Sequence, residues 1–121
     1  MRLFHILLLF GILFRCMGQS DPELTFSVRQ FGMEEGLIHR RVLQAVQDEE
    51  GFIWLATPAG VQRFDGYSFT DYTTEDGLTT NAVSMIWPDP DGLLWVVSTA
   101  DFSEGHIFAI DILDPRTGKK F

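Results

Sequence analysis

Residues 48–57 read DEEGFIWLAT and residues 89–98 read DPDGLLWVVS. Each is an acidic run, a glycine, two apolar residues, a tryptophan and a further apolar run. One such stretch is a tight turn feeding a buried strand. Two in fixed register are a repeating unit. At an offset of 41, Gly36 falls on Gly77, Leu37 on Leu78, Val42 on Val83, Asp48 on Asp89, Gly51 on Gly92 and Trp54 on Trp95. FSVRQF (26–31) falls on YSFTDY (67–72), and without a gap eight of the 33 positions from 26 to 58 are identical. Periods near 40 residues belong to helical solenoids or to four-stranded propeller blades.

Local chemistry chooses between those two. Helical repeats need a 3.6-residue apolar period over a dozen residues, whereas here apolar runs of four to seven residues lie between turn residues. The first unit reads as strand VLQAVQ (42–47), turn DEEG (48–51), strand FIWLAT (52–57), loop PAG, strand VQRF (61–64), a DG turn and strand YSFTDY (67–72). Asp-Gly suits a tight hairpin because glycine tolerates positive φ. A second strand apolar on both faces suits a sheet covered on both sides. The second unit gives AVSMIW (82–87), DPDG (89–92), LLWVVS (93–98), a longer loop TADFSEG (99–105), HIFAIDI (106–112) and the turn DPRTG (114–118).

The expected fold is therefore all-β, an incomplete β-propeller. Residues 24–31 would be the closing fourth strand of an absent last blade, 42–72 blade 1, and 82–121 blade 2 cut short before its last strand. Blades leave an apolar face uncovered until neighbours stack on them, so the chain is expected to be the N-terminal part of a larger propeller.

The first residues differ from the rest. Arg2 precedes an apolar run from Leu3 to Phe14 broken only by His5 and Gly11, and Cys16, Gly18 and Ser20 follow. That is the layout of a secretory signal peptide over 1–18, with cleavage after Gly18 or as late as Ser20. The run is shorter than the ~20 apolar residues a spanning helix needs. Removing it discards Cys16, leaving neither a disulfide nor a thiolate metal site. The rest carries seven basic and seventeen acidic residues, a net charge of −10. So acidic a surface repels phosphate backbones and anionic lipid, which argues against nucleic-acid and membrane-surface binding.

The pattern YTTEDGLTTNAVSMIWPDPDGLLWVVST resembles the two-component regulator propeller repeat. The shared features are an aromatic strand end, a "DGL" loop, a polar residue and valine opening the first strand, an acidic D-x-D-G turn, and "LW" on the second strand. The first unit shows the same features in FGMEEGLIHRRVLQAVQDEEGFIWLATPAGVQRFDG, with "EGL" for "DGL". The resemblance implies a periplasmic sensor region, anchored in the inner membrane by a later span and preceding a histidine kinase. It implies an oligosaccharide or other small ligand, the remaining blades as partners, a homodimer in the parent protein, no cofactor and no catalysis by the repeats themselves. The alternatives are an exported lyase-like propeller enzyme and a non-catalytic scaffold. The longer loop at 99–105 and Pro88 depart from the pattern.

Trp54 and Trp95, at equivalent mid-strand positions, are expected in the core between blades and not as sugar platforms. DEEG and DPDG supply two or three oxygen ligands where calcium needs six or more. They are expected to be turns. His39 and His106 lack a metal-spaced partner, no serine sits in a G-x-S-x-G elbow, and Glu34, Glu35, Glu75 and Asp76 read as solvated loop residues. Gly36, Gly77, Gly51 and Gly92, with the two tryptophans, are structural repeat positions. Binding residues concentrate on variable loops over a rigid scaffold. That points to His39, Arg40, Arg41, Thr80, Asn81, Asp101 and Phe102, with charge balance against Glu34 and Glu35 as the competing role for the two arginines. The signal-peptide assignment predicts an exported product beginning at Gln19 or Asp21 by N-terminal sequencing; one retaining Met1 would overturn it.

Overall fold

A computed structural model describes residues 23–99 and 108–120. The signal-peptide segment and the Asp101 and Phe102 candidates lie outside them. Within them are eight strands: β1 Gln44–Gln47, β2 Ile53–Thr57, β3 Gly60–Phe64, β4 Phe69–Tyr72, β5 Val83–Pro88, β6 Leu94–Ser98, β7 Ala109–Asp114 and β8 Lys119–Lys120. They form two antiparallel four-stranded sheets in simple sequential order, β1-β2-β3-β4 and β5-β6-β7-β8.

The two sheets are copies of one plan. Leu55 pairs with Gln62 in the first sheet and Val96 with Asp111 in the second. Since Leu55 and Val96 are 41 positions apart, Gln62 and Asp111 are counterparts. The sheets differ at β5, where the register slips between Val83 and Met85. Gly36, Gly51, Gly77 and Gly92 all have φ between 81° and 109°. A side chain is strained in that left-handed region, so the two turn types recur with their glycines.

Strand alternation gives each sheet two faces. Val46, Trp54, Ala56, Val61, Arg63 and Tyr72 share one face of the first sheet, and this face meets the second. Val83, Ile86, Leu94, Val96 and Leu113 of the second sheet complete the core with Trp54, Ala56, Val61 and Tyr72, and Leu78 joins them from the connection between the sheets. Arg63 lies within this packing, its guanidinium 4.7 Å from the Phe52 ring centroid and 5.9 Å from that of Trp54. The Gln44 Oε1 accepts the Ile86 N–H at 2.8 Å, joining the first strands of the two sheets.

The expected closing strand at 24–31 needs the other strands of its blade, and among the described residues none is present to pair with it; Leu24, Phe26 and Val28 are exposed. The segment becomes anchored only at Phe31, whose ring lies 4.8 Å from Phe64 and 5.8 Å from Phe69, both edge-on. The second sheet is not cut short before its last strand, because Leu113 and Asp114 pair with Lys120 and Lys119. Finally, Trp54 is fully buried as expected, but Trp95 is 41% exposed. The second sheet covers Trp54, and no described element covers the matching face of the second sheet.

This asymmetry sets an expected outcome for urea unfolding. Trp54→Ala removes a wholly buried indole and costs about 3–5 kcal/mol, whereas Trp95→Ala costs no more than about half as much because much of its surface is already in water. Equal costs would contradict the arrangement.

Candidate functional site

Sequential antiparallel strands send their connections alternately to opposite ends. One end carries the hairpin turns 48–52, 65–68, 89–93 and 115–118. The other carries the connections 32–43, 58–59 and 73–82. Compact acidic turns thus lie at one end and longer, more varied connections at the other.

At the turn end an aspartate organises each first hairpin. The Asp48 Oδ1 accepts the Glu50 and Phe52 N–H groups at 3.0 and 2.9 Å, and its Oδ2 accepts the Trp54 indole N–H at 2.7 Å. Asp89 repeats this with the Asp91 and Leu93 N–H groups, both at 2.9 Å, and the Trp95 indole at 3.0 Å. The turn carboxylate and the tryptophan form one device that ties hairpin to strand. The Trp95 indole, followed by the Leu93 amide, holds the Asp89 carboxyl below the ordinary aspartate range. Asp114 is held low by the Arg116 guanidinium, 3.0 Å away, and by the Arg116 amide. A cleft of about 240 Å³ lies between these turns, lined by Asp48, Glu50, Trp54, Asp89, Pro115 and Arg116 among others. The carboxylates of Asp48 and Asp89 are committed to the turns, and among the described residues no group of three or more metal-binding side chains exists.

At the loop end each long connection starts with a short 3-10 helix, Met33–Glu35 or Thr74–Asp76, closed by Gly36 or Gly77. The Glu35 carboxylate accepts the Gly32 N–H at 2.6 Å, and that of Asp76 accepts the Thr73 N–H at 2.9 Å. Both acidic residues therefore cap their loops. A buried polar residue on the third strand then holds the loop to its sheet. Gln62, fully buried, accepts the Ile38 N–H at 3.0 Å and donates to the Gly36 carbonyl at 2.9 Å and to the Asp71 carboxylate at 2.6 Å. Its counterpart Asp111 accepts the Thr79 N–H and the Thr79 hydroxyl, each at 2.8 Å. Buried polar groups are costly unless bonded, so each clamp fixes one loop conformation.

Several candidates prove to be parts of these loops. The His39 Nδ1 accepts the Arg41 N–H at 3.0 Å, the Thr80 Oγ1 accepts the Ala82 N–H at 3.2 Å, and the Asn81 Oδ1 accepts the Thr74 N–H at 2.8 Å. Arg40 and Arg41 project into solvent from the loop that Gln62 clamps. Charge balance against Glu34 and Glu35 does not occur, since among the described residues the salt bridge is Arg116 with Asp114. The loop end thus offers two exposed cations on a held loop. Gln62, Asp111 and Asp71 escaped the sequence reading because the longer second loop breaks the 41-residue register before β7. Aligning QRF with DIL would have exposed a polar residue at matching positions.

A second cleft, about 420 Å³, runs along the first strands and is walled by Gln44, Val46, Met85, Trp87, Trp95 and Val97 among others. It is largely apolar and opens onto the uncovered face of the second sheet.

No protein-family model matches the chain. None of the curated proteins matches it. Among solved structures, it is similar to the extracellular domain assigned to a hybrid two-component system from B. thetaiotaomicron, with a TM-score of 0.65 and 26% identity over 77% of this chain. The match covers 13% of that structure's chain, so the present chain spans a small part of its length. Among the described residues no helix is long and apolar enough to cross a membrane, and likeness to an extracellular domain agrees with export.

The lowered Asp89 and Asp114 carboxyls give stability an acid dependence. A carboxyl whose folded pKa is depressed contributes fully above its unfolded value, near 4, and the contribution is lost as pH falls through the folded value. The urea midpoint is therefore expected to fall below about pH 4, and less steeply in Asp89→Asn. An unchanged slope in that variant would count against the Asp89–Trp95 tie.

Proposed function

We propose that the chain is a segment of the periplasmic sensor region of a hybrid two-component system, its two sheets being successive blades of a β-propeller. The observation that carries the proposal is the combined one of fold and neighbour. Two sheets of one plan stack face to face, and the same chain is 26% identical to the extracellular domain of such a system. The parent is anchored in the inner membrane by a later span and passes its signal to a histidine kinase.

On this proposal the segment recognises its ligand without covalent chemistry. The ligand is a carbohydrate or another small molecule, met at the loop end. Rigid sheets and buried clamps hold the loops, so that few conformations are lost when a ligand orders them. Arg40 and Arg41 supply the donors best placed to meet oxygen-rich groups, and guanidinium forks suit bidentate bonds to them.

The test uses the parent protein in membrane vesicles, with autophosphorylation read against a panel of oligosaccharides. A ligand that stimulates the wild type is expected to require about tenfold more to stimulate Arg40→Ala/Arg41→Ala, a loss of about 1.4 kcal/mol in binding. The urea midpoint of that variant stays unchanged. A reading frame carrying no kinase would refute the sensor role, and an unaltered dose response would remove the arginines from the site.

A further inference from the structure

The connection 32–43 repeats the connection 73–82 at the offset of 41, and their bonds show what each residue does for the loop. The Arg41 N–H donates to the His39 Nδ1 at 3.0 Å just as the Ala82 N–H donates to the Thr80 Oγ1 at 3.2 Å, so His39 takes the place of Thr80. At the next position the equivalence ends. The Asn81 Oδ1 accepts the Thr74 N–H at 2.8 Å and ties the second connection together. Its counterpart Arg40 has only donors and cannot accept the matching Met33 N–H. Arginine at 40 therefore forgoes a bond that the repeat plan provides. At 41 an exposed cation stands where the second unit has a half-buried alanine. Among the described residues neither guanidinium enters a salt bridge, so both glutamates of the connection lie beyond pairing distance, and Glu35 is held by the Gly32 N–H at 2.6 Å.

Residues 39–41 thus present donors in succession. With Nδ1 accepting, the neutral His39 ring carries its proton on Nε2, and the two guanidinium forks follow. Saccharide hydroxyls donate as well as accept, and these three side chains offer them nothing to donate to. A carboxylate or sulfate only accepts, and its bonds to guanidinium are short and charge-assisted. The acidic hairpin turns do not cancel this. They lie across β2, whose 5 residues span about 16 Å. That is about twice the screening length of ~8 Å in physiological salt.

We propose, building on the sensor reading above, that the ligand met by this connection is an acidic saccharide whose carboxylate or sulfate is bound by Arg40 and Arg41, with the His39 Nε2–H as a third donor. The arginines select by charge where the rest of the loop is occupied with its own backbone.

Autophosphorylation of the parent protein in membrane vesicles tests this with matched saccharides. Oligogalacturonate and oligomannuronate are each set against their methyl esters, and sulfated galactan oligosaccharides against their desulfated forms. Each pair separates charge from sugar shape, and the two kinds of pair separate carboxylate from sulfate. A charged member is expected to stimulate, its neutralised partner to require at least about tenfold more, and the gap to narrow as salt is raised. Arg40→Asn/Arg41→Ala installs the second connection's residues, including the asparagine that can make the forgone bond. It is expected to need at least about tenfold more of the charged member, with no fall in urea midpoint. Neutral members that stimulate as well as charged ones would overturn the proposal and leave the sensor role standing, as would a charged response undiminished in the variant. A lowered midpoint would return the arginines to the fold and overturn it too. Silence toward every saccharide, charged and neutral, would remove the carbohydrate reading along with it.

Discussion

A sheet that is apolar on both faces has no stable life alone, and the burial of the Trp54 face beneath the second sheet is the contact on which the remainder depends. Trp54, Ala56 and Val61 on one side meet Val83, Ile86, Leu94 and Val96 on the other. Apolar burial is the main favourable term in folding, and here most of it is gathered in a single junction. The hairpins, the clamps and the loops all hang from strands that this junction fixes.

Polar interactions divide the labour. Asp48 and Asp89 close their hairpins and hold the tryptophans by their indoles. Gln62 and Asp111 fasten the long loops at the opposite end. Each device orients one end of its sheet. The aspartate is thus more than a solvated charge, for its two oxygens are divided between backbone amides and an indole N–H.

Much of the fold was legible because turn chemistry and strand alternation are local. The glycines at 36, 51, 77 and 92 mark positive φ without reference to any distant residue, and the apolar runs mark strands to within three residues. The exposure of Trp95 was not legible, since burial depends on what lies across the face. The apolar pattern at 24–31 calls for partner strands, and none lies among the described residues. At the candidate site, Thr80 and Asn81 looked free in the sequence and are engaged within their own loop. Residue type shows what a side chain can bond, not whether its own backbone has already claimed it.

The clamps also bear on inheritance. Gln62 binds the loop that precedes its own sheet, and Asp111 does likewise, so each repeat carries its polar fastenings within itself. A duplicated unit would arrive with its loop fastenings complete and join its neighbours mainly through apolar packing, with a bond such as that from the Ile86 N–H to Gln44 added. Substitutions in one loop need no matching change in the next. A gene built from such units can diversify its recognition surface one loop at a time while the scaffold drifts slowly beneath it.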